Sequence, residues 1–259
     1  MLCQFIDPQT SPSPFIDQCF KLEFEAGEGS SKSMIVPDCT PGIVYVKAGC
    51  IKREQDEFVE GDIFVFGQKS QSVEYQFAEN TQAYGCKLSP IALYHLFGIR
   101  AEEITDTFVC LSDLSKEAER LKHSLVRGEA KLTSAIPGEE SETLAALLRA
   151  IHLSRGLISI QELSLTYNLS YKKMERLFKK CVGIPPKLYA RIIRFNYSLK
   201  IGIDHFSLTE LAYESGFFDQ NHFIKEVKRF TQKAPSEVFH SQPSPYQQSH
   251  IQYLKNRRY

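Results

Sequence analysis

Two short runs of this sequence combine side chains able to hydrogen-bond nucleobases with an apolar stripe at helical spacing. In the run GFFDQNHFIKEVKRF (residues 216–230), Phe223, Val227 and Phe230 recur at helical intervals. Gln220, Asn221, His222, Ile224, Lys225 and Lys228 fall on the other side. In YKKMERLFKKC (residues 171–181), Met174, Leu177, Phe178 and Cys181 form the stripe, opposed by Tyr171, Lys172, Lys173, Glu175, Arg176 and Lys179. Carboxamides pair bidentately with adenine, Arg and Lys pair with guanine, and further cations meet phosphate oxygens. Glu175 and Glu226 add negative charge near these faces, where a glutamate can accept from cytosine N4 or orient an arginine. A charged face on one isolated helix is ordinarily just solvated. Here the face occurs twice, each time basic, at one repeat period.

The elements that must position these faces are marked in the chain. Ser159-Ile160-Gln161-Glu162-Leu163 and Ser207-Leu208-Thr209-Glu210-Leu211 lie 48 residues apart and share S-x-x-E before a leucine. This is a capping box: the serine hydroxyl accepts from an orphan amide of the first turn, and the glutamate accepts from the serine's own amide. Asn168 and Gly216 then supply residues tolerant of the left-handed backbone of a turn. Ser170 and Asp219 stand where they cap the helix that follows. The spacing predicts a helix-turn-helix in each copy. Leu144, Leu147, Leu148 and Ile151 predict a further helix over 141–154, stopped at Gly156.

The other half of the chain is different text. From about residue 20 to 88, runs such as FKLEFEA, GIVYVKAG, GDIFVFG, VEYQFAE and QAYGCKL alternate between turn residues and predict antiparallel strands in a small barrel or sandwich. Helical pattern follows in IALYHLFGI and over 115–127, and a polar segment containing Pro137-Gly138 predicts a domain boundary. Residues 1–156 carry 15 Lys+Arg against 23 Asp+Glu, a balance of −8, whereas residues 157–259 carry 16 against 8, a balance of +8. The second half is thus the one suited to a polyanion, unless the two halves simply neutralise each other in one body.

Much chemistry finds no support. The chain has no P-loop, no dinucleotide-binding glycine pattern and no nucleophile elbow. The seven cysteines, at 3, 19, 39, 50, 86, 110 and 181, form no C-x-x-C pair and are expected to be reduced thiols. His95 is the sole histidine before residue 120, which disfavours a metal-binding barrel and leaves His95 as a helix-surface or core residue. Neither a signal peptide nor the ~20-residue apolar run of a membrane helix is present, so the cytoplasm is the expected compartment and no membrane is expected as a partner. The expectation is no enzyme, no cofactor and no metal.

Residues 158–239 resemble the DNA-binding domain of the AraC/XylS family of bacterial transcription regulators. The resemblance is carried by Ile160-Gln161-Glu162-Leu163, Leu169-Ser170, Met174-Glu175-Arg176-Leu177-Phe178-Lys179 and Gly183-Ile184-Pro185-Pro186-Lys187-Leu188-Tyr189. In the second copy it is carried by Gly216-Phe217, Asp219-Gln220-Asn221-His222-Phe223, Lys228-Arg229-Phe230 and Pro235-Ser236-Glu237. Gln232 departs from the family's usual glycine after the second recognition helix. The resemblance implies a two-domain α+β chain. Residues 1–137 would form a cupin-like β-barrel or sandwich with helices, in which residues 89–106 resemble a segment of poorly characterised sensory domains. Residues 138–240 would be all-α, with two helix-turn-helix units joined by a long helix from about Pro186 to Ile201. Residues 241–259 read as a basic, disordered tail.

It further implies a sequence-specific transcription regulator, an activator, whose recognition helices enter successive major grooves of double-stranded DNA ~34 Å apart. Its other implied partners are a small-molecule effector or a second copy at the N-terminal domain, and RNA polymerase. Two rivals stay open at this stage. One is a small-molecule-processing β-barrel enzyme with a DNA-binding appendage; the other is an interaction module whose basic helices bind an acidic protein.

Overall fold

The computed structural model describes residues 2–6, 15–24, 31–111, 122–127, 139–202, 206–239 and 251. The expected boundary at 137/138, the helical residues 115–121 and all of the expected tail except residue 251 lie outside them.

The N-terminal half forms two antiparallel sheets. The larger runs β1 (Leu2–Ile6), β2 (Ile16–Glu23), β9 (Gln82–Leu88), β4 (Gly42–Ala48), β7 (Ile63–Phe66) and β10 (Phe108–Cys110) in that spatial order. The smaller runs β3 (Ser31–Ile35), β8 (Val73–Phe77), β5 (Cys50–Arg53) and β6 (Asp56–Val59). Phe20, Leu22, Val44, Phe64 and Ala83 of the larger sheet meet Ile51, Phe58, Tyr75 and Phe77 of the smaller in one core. The reverse face of the larger sheet, with Cys19, Ile43, Ile63, Val65, Tyr84 and Leu88, is covered by Ala92 and Leu93 of α1 (Ala92–Phe97) and by Leu125 of α2 (described over 122–127). A sheet buried on both faces needs apolar side chains at successive positions, which is why β7 reads Ile-Phe-Val-Phe without alternation.

One sequence expectation is corrected here. Cys19 and Cys86 are not separate thiols but a disulfide. They are directly opposed in the β2–β9 ladder, and the sheet register brings together two residues 67 apart in the chain. Cys50 and Cys181 are free thiols.

The C-terminal half is helical: α3 (Glu139–Leu153), α4 (Ile160–Thr166), α5 (Tyr171–Cys181), α6 (Pro186–Ile201), α7 (Leu208–Glu214), α8 (Gln220–Thr231) and α9 (Pro235–Phe239). Both capping boxes form as the spacing predicts, Ser159 with Glu162 and Ser207 with Glu210. Hydrogen bonds from the serines hold both carboxyls below the usual carboxylate range. Asn168 (φ 47°) and Gly216 (φ 74°) adopt the left-handed turns. Gln232 (φ 58°) closes α8 in that same backbone region, so the helix ends where a glycine would end it, with a residue less suited to it.

The two halves share a seam. Val36 and Cys39, from the β3–β4 connection, belong to the core of the helical half. Asn196 of α6 donates to the Pro37 carbonyl at 2.9 Å, Thr105 donates to the Gly183 carbonyl at 2.9 Å, and the Ser72 amide donates to the Phe230 carbonyl at 2.7 Å. Gly183 (φ 99°) sits so close to the 3-10 helix Ala101–Ile104 that a Cβ there would lie 2.6 Å from the Thr105 hydroxyl and 2.8 Å from the Ala101 carbonyl oxygen. His95 of α1 sits at this seam with its Nε2 2.9 Å from Ser141 Oγ, and burial lowers its pKa.

Candidate nucleic-acid interface

Each candidate helix is fixed by the stripe beneath it. In α5 Met174, Leu177, Phe178 and Cys181 are buried, and Ser170 caps the N-terminus. In α8 Phe223, Val227 and Phe230 are buried, and the Asp219 carboxylate accepts from the His222 amide at 2.6 Å. Phe230 packs on Phe195 of α6, with ring centroids 5.2 Å apart. Helical periodicity then leaves the other residues facing out.

On α5 Tyr171, Lys172, Lys173, Arg176 and Lys179 are exposed and Glu175 is half-buried. Lys179 pairs with Glu175 at 3.2 Å, one turn apart. On α8 Asn221, His222, Lys225 and Lys228 are exposed, while Gln220 and Ile224 are half-buried. The Gln220 carboxamide oxygen accepts from Thr209 Oγ1 of α7 at 3.0 Å, so the preceding helix restrains its rotamer. The His222 ring stands edge-on to Phe217, with centroids 5.5 Å apart. Among the described residues, Lys172, Lys173, Arg176, Lys225 and Lys228 form no ion pair. The structure thus presents all of these residues at least partly to solvent.

The two copies are not equivalent. The second turn is one residue longer, and the extra residue, Phe218, is 86% exposed. Glu226 does not face outward as the sequence reading has it. It occupies the buried stripe, at the place that Leu177 fills in the first copy, and its carboxylate takes a bidentate hydrogen bond from Arg191 of α6. The gap that Glu226 leaves between Phe223 and Val227 in the stripe is the signal that could have located it. Arg194, also on α6, donates to the Gly156 carbonyl at 2.8 Å and ties the connector to the end of α3. The long helix is therefore fastened by arginines to α8 and to the connection between α3 and α4.

The N-terminal half flanks α5 closely. A groove of about 470 Å³ runs between Arg100 and Glu102 on one side and Lys172, Lys173, Arg176 and Lys179 on the other. Lys180, behind this face, pairs with Glu140 at 3.2 Å and lies 4.6 Å over the Tyr94 ring; hydrogen bonding to Tyr94 and Glu140 raises its pKa. Sequence reasoning missed these contacts because they join residues far apart in the chain.

A match to a known family model agrees with the helix-turn-helix geometry. Residues 163–241 match a family model described as a helix-turn-helix domain, and residues 4–110 match one described as a domain of unknown function (DUF6597). No curated protein matches the chain. Among solved structures, ToxT from Vibrio cholerae is 14% identical over 86% of this chain and 97% of its own, with a TM-score of 0.48. ToxT from Vibrio cholerae with an unsaturated fatty acid bound is 12% identical over 85% and 93%, with a TM-score of 0.44. The AraC-like transcriptional activator CuxR is 10% identical over 98% of this chain and 87% of its own, with a TM-score of 0.21.

Proposed function

We propose that this chain is a two-domain DNA-binding transcription regulator of the AraC/XylS type, as its helix-turn-helix match supports, and that it reads two successive major grooves of one duplex through the outward faces of α5 and α8. The observation that carries the proposal is the pairing of two capped helix-turn-helix units, each with exposed cations free of ion pairs among the described residues. In the first unit Lys172, Glu175 and Arg176 meet base edges, while Tyr171, Lys173 and Lys179 position the helix on phosphates. In the second, Gln220, Asn221, Ile224 and Lys225 read bases, with His222 and Lys228 beside them. Because several lysines and arginines would displace condensed counterions, affinity falls steeply with salt.

The finer assignments belong to the same proposal. Residues 1–137 form the sensory or dimerising unit, residues 138–240 the DNA-binding unit and residues 241–259 a basic tail. The protein acts in the cytoplasm as an activator that engages RNA polymerase, with a small-molecule effector or a second copy at its N-terminal half, and performs no catalytic step. The enzyme alternative is not favoured.

Selection of bound sequences from a random duplex pool tests the proposal. Arg176→Ala or Gln220→Ala should each cost about 1–3 kcal/mol on the selected site and relax preference at one base pair. Equal loss on selected and unrelated duplexes for both variants would refute base reading by these residues.

A further inference from the structure

The turn before α8 carries a side chain that packing does not explain. The first unit passes from its left-handed Asn168 through the buried Leu169 to the cap Ser170. The second passes from Gly216 through Phe217, buried in the same way, and then through Phe218 to the cap Asp219. Phe218 is the inserted residue. At 86% it is the most exposed of the large apolar side chains among the described residues. Turns ordinarily take Gly, Asn, Asp or Ser, whose backbone freedom or side-chain hydrogen bonds shape the chain. Phenylalanine supplies neither, and here its ring stands in water.

The chain on either side of that ring is held firmly. The Phe217 ring lies 5.1 Å from the ring of Phe223 and 5.5 Å from that of His222, and the Arg194 guanidinium of α6 stands 5.6 Å from its centroid. On the other side the Asp219 carboxylate accepts from the His222 amide at 2.6 Å. Phe218 is therefore fixed at the leading end of α8, one residue before the cap and just ahead of Gln220 and Asn221. A recognition helix meets base edges chiefly with its N-terminal residues. Among the groups that a major groove displays, the C5-methyl of thymine is the apolar one, and a phenylalanine ring can pack on it. A neutral ring has nothing to offer a phosphate.

We propose that Phe218 is a specificity-determining residue, which selects a thymine in the groove that α8 enters by packing its ring on the thymine methyl. The first unit has no counterpart, because the residue before its cap, Leu169, is buried in the core. The inference rests on the regulator reading given above and adds to it a base read from the turn, by apolar contact, outside the polar face of the helix.

The test uses the full chain and the duplex selected from the random pool, with each thymine replaced singly by deoxyuridine, a change that removes only the methyl. Binding is followed by fluorescence anisotropy. At one thymine of the selected site, deoxyuridine lowers wild-type affinity about threefold or more. Phe218→Ala lowers affinity for the unaltered duplex by a similar factor and is indifferent to deoxyuridine at that same position. Its salt dependence matches that of the wild type, because no cation has been removed. The melting temperature reports that Phe218→Ala folds, and Phe218→Ser, which supplies a residue usual in turns, serves as a second truncation. A wild type indifferent to every thymine methyl, or folded variants that respond to each methyl as the wild type does, would overturn the inference and leave the regulator reading standing. So would a steeper or shallower salt dependence in the folded variants, since Phe218 would then act through phosphate contacts. Failure to select any duplex would overturn the regulator reading itself, and this inference with it.

Discussion

Removing the carboxylate of Glu226 should loosen the grip of the connector helix on α8. In Glu226→Ala, Arg191 loses both of its hydrogen bonds to the buried acid. Orphaning one member of a buried pair ordinarily costs about 3–5 kcal/mol. Two features lower that here: the Arg191 side chain keeps 25% of its exposure, and its guanidinium lies 5.9 Å from the Phe230 ring centroid, where a cation–π contact survives. The expected loss is therefore about 2–3 kcal/mol, or about 4–12 °C of melting temperature for a chain of this size. Thermal melting followed by circular dichroism measures it. The double variant Glu226→Leu/Arg191→Met restores to the second copy the apolar filling that Leu177 provides in the first, and should recover most of the loss because no charge is left stranded. A double variant as unstable as Glu226→Ala would refute the argument, since the cost would then lie in packing and not in an unpaired cation. So would a single variant melting within about 1 °C of the wild type.

Two further outcomes follow from the geometry. Asp219→Ala deletes the acceptor for the His222 amide at the start of α8. It should cost about 1 kcal/mol in chemical denaturation and weaken DNA retention, whereas Asp219→Ser should retain most of both. Lys69 has a folded pKa near 8 against an ordinary 10.5, so the unfolded chain holds that proton more tightly and stability rises with pH between the two values. Lys69→Met should accordingly melt above the wild type near pH 7, with a gap that narrows toward pH 10; a constant gap would show that the lysine is not buried as a strained cation.

What could be read ahead of the structure was what is encoded locally. The capping boxes at Ser159 and Ser207, the turns at Asn168 and Gly216, and the stripes of α5 and α8 depend on residues within one or two helical turns, and all form. Strands β4, β7, β8 and β9 lie within the predicted runs for the same reason. The β5–β6 hairpin was missed because CIKREQDEFV carries its charges on an outward face, with only Ile51 and Phe58 buried. The disulfide depends on sheet register, and Asp38, Lys69 and Lys87 meet only when three distant segments close around one cavity. Glu226 was misplaced because an acid in an amphipathic helix reads as solvated; its arginine lies 35 residues away, on another helix. Local pattern identifies the units, and long-range pairing decides how they are joined.

The β3–β4 connection places Val36 and Cys39 inside the core of the helical half, next to Tyr189 and the α6 backbone. The DNA-binding half is thus incomplete without a plug supplied from the other end of the polypeptide. Severing the chain near residue 138 would leave a greasy notch on the helix that joins the two helix-turn-helix units. The two halves therefore share a folding fate, because loss of that plug would disturb the packing of the connector helix.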